Sequence, residues 1–238
     1  MTLAIHKTGN GYPLVLFHGW AFDSRVWTPL LPRLTERFTL YLVDLPGFGQ
    51  SSLMSWEAFC EALIHQLPAS FALGGWSMGG LYALRFAHAF AERVSHLLGI
   101  ATSPFFMKED DWPGIEPVVI EGFLQKLEHA PSQVLHDFVS LQARGRVMPE
   151  LPADNCPKAL REGLHILASW DYREALSDLA LPTSYLFGRL DAITPVEVLE
   201  AMRARYPGIG FTLFPRAGHM PFLSHAEEFV AHVEDFLR

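Results

Sequence analysis

The chain has 238 residues, half of them hydrophobic and 18% charged, the composition of a globular unit with a large core rather than of a disordered chain. Eighteen basic against 26 acidic residues leave a formal net charge of −8, which argues against a nucleic-acid binder. Two cysteines, Cys60 and Cys156, are too few for a disulfide scaffold, no spacing suggests a zinc site, and no apolar run approaches the ~20 residues of a membrane span.

Short apolar runs at 14–17 and 38–43 end in His18-Gly19 and Asp44-Leu45-Pro46-Gly47, as buried strands leading into turns do. Between them, residues 24–36 have helical spacing, with Ser24 placed to cap. A helix near 56–67, a strand at 71–74, a helix from Ser77 to about Phe90 and a strand at 94–100 follow. This alternation predicts a mainly parallel, doubly wound sheet covered on both faces, an α/β fold. From about Ser103 to Leu176 the rhythm fails: helical patterns at 118–129, 131–143 and 158–168, prolines, and no strand. Strands at 184–187 and 211–214 then alternate with helices at 195–206 and 226–237. The expected organisation is a core of residues 1–103 and 177–238 with a helical cap inserted at 104–176, over the carboxyl ends of the strands.

The sharpest local signal is Gly75-Trp76-Ser77-Met78-Gly79, a G-x-S-x-G pentapeptide where a strand ends and a helix begins. So tight a turn needs small neighbours and leaves the Ser77 hydroxyl standing above the sheet, at the positive end of a helix. The plain alternative is a glycine-rich turn with Ser77 as an N-cap. A serine hydroxyl needs a base. His219 lies on the loop directly after the last strand; His18, after the first strand, suits loop shaping better. The third member should be a carboxylate between serine and histidine in chain order, and Asp191 leaves the strand at 184–187. Asp191 could equally cap the helix that opens at Thr194-Pro195. Two oxyanion donors are expected, the Met78 amide after the nucleophile and the Trp20 amide in the loop after the first strand.

With these residues in place the chain resembles the α/β-hydrolase superfamily over nearly its full length. More narrowly it resembles the pimeloyl-[acyl-carrier protein] methyl ester esterases of bacterial biotin synthesis. The resemblance is carried by His18-Gly19-Trp20, Val43-Asp44-Leu45-Pro46-Gly47-Phe48-Gly49, Gly75-Trp76-Ser77-Met78-Gly79-Gly80, Ser103-Pro104, Asp111-Trp112-Pro113-Gly114-Ile115, Leu141-Gln142 and Ala217-Gly218-His219-Met220-Pro221-Phe222. It implies hydrolysis of the methyl ester of pimeloyl-acyl carrier protein by a serine carboxylesterase. It also implies that Phe138, Val139, Ser140, Leu141 and Gln142 line the acyl path beside Trp20, Ser77, Met78 and His219. Packing of the cap onto the core would explain Phe138 and Leu141 as well.

The acidic partner is the point of tension, because the chain itself carries −8. Between Ala143 and Gly163, Arg144, Arg146, Lys158 and Arg161 outnumber the acidic residues by one and form the candidate docking patch. The stretch from Lys108 to Glu121, with one basic and five acidic residues, would repel. The remaining expectations are a monomer in the cytoplasm, with no signal peptide, membrane contact, nucleic acid, metal or organic cofactor. A general short-chain esterase or a C–C bond hydrolase could use the same triad, and a non-catalytic binding protein could use the same fold.

Overall fold

The computed structural model describes residues 1–143, 151–152 and 155–238. Seven strands form one sheet: β1 (Ile5–Gly9), β2 (Tyr12–Phe17), β3 (Phe38–Val43), β4 (Phe71–Trp76), β5 (Val94–Ile100), β6 (Thr183–Gly188) and β7 (Gly210–Phe214). Their order is β1-β3-β2-β4-β5-β6-β7. Every neighbouring pair is parallel except β1 and β3. Each residue of β3, β4 and β6 is buried, which is why these strands read as continuous apolar runs rather than alternating ones.

The sequence pattern missed β1. Its residues, IHKTG, are mostly exposed on an antiparallel edge and carry no apolar run. Residues 24–36 also depart from the expected helix. They form a 3₁₀ turn, Ser24–Leu30, followed by the single turn α1 (Leu31–Leu34). Pro29 within the turn and the proline opening α1 lack the N–H groups that a continuous α-helical ladder needs. The cap of this turn is Asp23, whose carboxylate accepts from the Arg25 N–H, and not Ser24.

Helices α2 (Trp56–Gln66) and α3 (Met78–Ala89) follow β3 and β4. Between β5 and β6 come α4 (Pro117–His129), α5 (Pro131–Ala143), α6 (Pro157–Ser169) and α7 (Arg173–Asp178), with only two isolated bridges among the described residues of that segment. The boundary expected at 176 falls inside α7. The chain closes with α8 (Val196–Arg205), α9 (Pro221–Ser224) and α10 (Ala226–Phe236). No described helix is long and apolar enough to cross a membrane.

Two apolar clusters build the core. One contains Phe17, Phe59, Tyr82 and Phe86 and continues into Phe138, Leu160 and Leu164 of the helical segment. The other gathers Trp27, Trp76, Phe222 and Phe229. Phe17 is fully buried, with its ring centroid 5.7 Å from that of Phe59. Phe17→Ala is expected to lower stability by about 3–5 kcal/mol in urea unfolding. Val118→Ala, on the exposed side of α4, should stay within about 0.5 kcal/mol.

Candidate active site

The loops that leave the carboxyl ends of the parallel strands converge above the sheet, where open α/β sheets place their ligands. Ser77 follows β4 with φ 54° and ψ −124°, a conformation rarely taken by a residue with a side chain. The flanking glycines are steric necessities. A Cβ on Gly75 would lie 2.2 Å from the Gly79 carbonyl oxygen, and one on Gly79 would lie 2.4 Å from that of His18. Ser77 N–H donates to the Ile100 carbonyl at 3.0 Å, while its own carbonyl accepts from Gly80 N–H at 2.8 Å and Thr102 Oγ1 at 2.7 Å. The Ser77 side chain makes no capping hydrogen bond to α3.

Instead Ser77 Oγ lies 2.9 Å from His219 Nε2. The other ring nitrogen, His219 Nδ1, lies 2.7 Å from Asp191 Oδ2. The network assigns the proton to Nδ1, donated to the carboxylate, and leaves Nε2 to accept from the serine hydroxyl. All three side chains are buried, at 2%, 1% and 4% exposure for Ser77, His219 and Asp191. The two readings of Asp191 turn out to be compatible. Its Oδ1 accepts from the N–H groups of Ile193 at 2.8 Å and Thr194 at 3.0 Å, ahead of α8, while Oδ2 takes Thr194 Oγ1 at 2.5 Å together with the imidazole.

The amides of Trp20 and Met78 donate to no described residue. Each therefore has an N–H available to a ligand at the elbow. Phe138 and Val139 of α5 are buried, and the Phe138 ring stands edge-on to that of Trp20 at 4.7 Å. Ser140 is exposed and turns away from this interior. Gln142 is buried with neither end of its amide hydrogen-bonded to a described residue. Its backbone carbonyl sits close to Gly218, beside the His219 loop. The Leu141 side chain, Arg144 and Arg146 lie outside the described residues. Lys158 and Arg161 sit on α6 with acidic partners: Glu162 at 3.9 Å and Glu128 at 2.7 Å.

Residues 14–232 match the alpha/beta hydrolase family. The chain belongs to this family. It is 45% identical over 240 residues to the pimeloyl-[acyl-carrier protein] methyl ester esterase of Legionella pneumophila (strain Corby), covering the whole of both chains. It is 37% identical over 256 residues, again across both full chains, to the protein of the same name from Aeromonas hydrophila. Among solved structures it is similar to an esterase from Exiguobacterium antarcticum, with a TM-score of 0.88 and 23% identity over 98% of this chain and 94% of that one.

The supports of this hydrolase site include residues of the quoted motifs, among them His18 in the loop-shaping role expected of it, and one outside them, Thr102. Trp76 Nε1 donates to the His219 carbonyl at 2.8 Å and ties the elbow to the imidazole loop. Thr102, which braces Ser77, follows β5 at the carboxyl edge, and that placement was the only hint available. His18 is wholly buried: Nδ1–H donates to the Gly19 carbonyl at 2.8 Å and Nε2 accepts from Leu45 N–H at 2.9 Å. Asp44 ties the same loops, accepting from Ser24 N–H and Gln50 N–H, both at 2.8 Å.

Burial pushes the His18 imidazole below its ordinary value, against the opposing pulls of the Gly19 carbonyl and the Asp44 and Asp23 charges. The unfolded chain therefore binds more protons here as the pH drops below ~6.5, so the stability contributed by neutral His18 is lost on acidification. His96 and His232, also lowered by burial, act with the same sign. His18→Gln is expected to shrink, without abolishing, the fall in urea midpoint between pH 7.5 and 5.

Proposed function

We propose that this chain is a cytoplasmic serine carboxylesterase that cleaves the methyl ester of pimeloyl-[acyl-carrier protein], the step that frees the distal carboxylate in biotin synthesis. The observation that carries the reading is the buried relay from Ser77 through His219 to Asp191, and full-length likeness to esterases of that name supports the substrate.

In the proposed reaction the Ser77 Oγ attacks the ester carbonyl carbon while His219 Nε2 takes its proton. The carbonyl π electrons move onto oxygen, which the Trp20 and Met78 amides receive. Asp191 holds the imidazole tautomer and stabilises the imidazolium. Collapse of the tetrahedral intermediate breaks the bond to the methoxy oxygen, which leaves as methanol with the proton from Nε2. Water, deprotonated by His219, then attacks the acyl-enzyme. Its collapse returns the proton to Ser77 Oγ and releases the carboxylic acid, which ionises. No step calls for a metal or organic cofactor.

Phe138 and Trp20 offer apolar faces to an acyl chain, and the Gln142 amide, without a partner among the described residues, offers a donor and an acceptor to a polar group within it. The working division is a core of residues 1–103 and 177–238 under a cap of residues 104–176, active as a monomer. The carrier protein docks, in this reading, on Arg144, Arg146, Lys158 and Arg161. The described pairs Lys158–Glu162 and Arg161–Glu128 lie at the surface, where such pairs are worth little and exchange readily for a partner's carboxylates.

Ser77→Ala is expected to lower kcat on a p-nitrophenyl ester by about 10⁵-fold or more and to abolish fluorophosphonate labelling. Asp191→Asn should cost about 10⁴-fold. Retention of most of the rate in Ser77→Ala would remove the nucleophile assignment. For the substrate, kcat/KM should be higher on methyl pimeloyl-carrier protein than on dimethyl pimelate. Charge reversal at Arg144, Arg146, Lys158 and Arg161 should depress only the former and flatten its salt dependence. Equal rates on both substrates would reduce the activity to that of a general esterase.

A further inference from the structure

Two glycines lie inside helices of the segment between β5 and β6, and they differ completely in surroundings. Gly122 of α4 faces open space, with nothing within 4 Å of where a Cβ would sit. Gly163 of α6 is buried, and its Cβ would meet Trp20 Cδ1 at 2.4 Å, Trp20 Nε1 at 2.9 Å and Met78 Sδ at 3.1 Å. These three nearest atoms belong to the two residues whose amides stand free at the elbow. One turn earlier, the Leu160 carbonyl accepts from Trp20 Nε1–H at 2.8 Å. The Phe138 ring closes another side of the indole.

From this convergence we propose that Gly163 is a positioning residue for the oxyanion hole: its bare Cα is the seat against which Trp20 and Met78 set their amides. The inference rests on the reading of those two amides as oxyanion donors. Glycine is a poor helix former, so a helix interior holds one at some cost unless close approach requires it. Donors of this kind act only within a few tenths of an ångström of their correct place.

The helix has little freedom to retreat from a new methyl group. At its far end, the Arg85 guanidinium of α3 lies over the rings of Trp56, 4.0 Å from its centroid, and Trp170, 4.5 Å away, which meet edge to face, and Trp170 is the residue that ends α6. Met78 opens the same α3. Helices α3 and α6 are thus joined at both ends of their contact. A Cβ at 163 displaces the indole, a buried and hydrogen-bonded ring, rather than the tip of a flexible side chain.

The test compares Gly163→Ala, Gly122→Ala, Trp20→Ala and the double variant Trp20→Ala/Gly163→Ala. It reads kcat and KM on a p-nitrophenyl ester, melting temperature, and preference for a trifluoromethyl ketone over the matching methyl ketone. Gly163→Ala is expected to lose at least tenfold in kcat with KM within twofold, and to lose the ketone preference by a similar factor, while remaining folded. Gly122→Ala should melt higher with unchanged activity. Because alanine removes the Cδ1–Nε1 edge that faces Gly163, adding Gly163→Ala to Trp20→Ala should cost less than threefold. Retention of kcat and of the ketone preference by Gly163→Ala, or an equal loss in both backgrounds, would overturn the role of Gly163. Should Gly163→Ala fail to fold, recovery of folding in the double variant supports the clash with Trp20 and its absence overturns it. A wild type without preference for the trifluoromethyl ketone would instead remove the oxyanion reading itself, and this inference with it.

Discussion

The backbone of Ser77 is the constraint on which the rest of the site depends. A serine held at φ 54° is strained, and such a conformation persists only where the surroundings over-determine it. Here they do so with three hydrogen bonds on the Ser77 peptide groups, from β5, from Gly80 and from Thr102. The crowding that excludes side chains at 75 and 79 follows from the same turn, since the sharp reversal brings α3 against the carbonyls of β2. What the strain achieves is directional. The hydroxyl leaves the backbone away from the helix it precedes, and so it is free to bond His219 rather than cap α3.

Each partner of Ser77 comes from a different loop, and the loops are fastened to one another rather than only to the sheet. Trp76 holds the carbonyl of His219, the Leu190 N–H holds that of Ala217, and Asp191 serves its own turn and the imidazole at once. A carboxylate that already accepts from two amides and a hydroxyl is fixed in place before it meets the histidine, and this rigidity keeps the imidazole in one tautomer. On the other side of the elbow, His18 and Asp44 tie the Trp20 loop to the turn after β3. Neutral His18 is required for that tie, because Nε2 must keep a lone pair for the Leu45 amide.

Much of this was legible in the amino-acid order, for identifiable reasons. Buried parallel strands must be apolar throughout, so β2 to β6 announced themselves, and the elbow is a local steric motif that five residues contain in full. Asp191 and His219 followed from chain order and from their positions after strands. What escaped was mostly non-local or concealed by solvent, and in one place a proline overrode a regular apolar spacing. The edge strand β1 has no apolar run because one side of it faces water, and Pro29 broke a helix whose spacing looked regular. Trp76 to His219, Thr102 to Ser77 and Gly163 against Trp20 join residues 143, 25 and 143 positions apart, and no local pattern encodes such pairs.

Helix α6 brings together the two ends of the functional problem. Leu160, Gly163, Leu164 and Leu167 are buried, at the three- and four-residue spacing of one helix face, and this face touches Trp20 and Met78. Lys158 and Arg161 lie on the outer side and carry two of the four cations proposed for docking an acidic carrier. A chain of net charge −8 repels such a partner at long range, so attraction must act within about a Debye length of a local patch. Placing that patch on the helix whose inner face seats the oxyanion residues puts carrier contact and carbonyl polarisation on opposite sides of a rod about 10 Å thick. A tilt of α6, were the proposed docking to cause one, would reach Trp20 directly, through the Leu160 carbonyl and the bare Cα of Gly163. The cluster of Trp56, Arg85 and Trp170 at the far end restrains that tilt, and with it the movement of the amides that must be in place before the ester arrives.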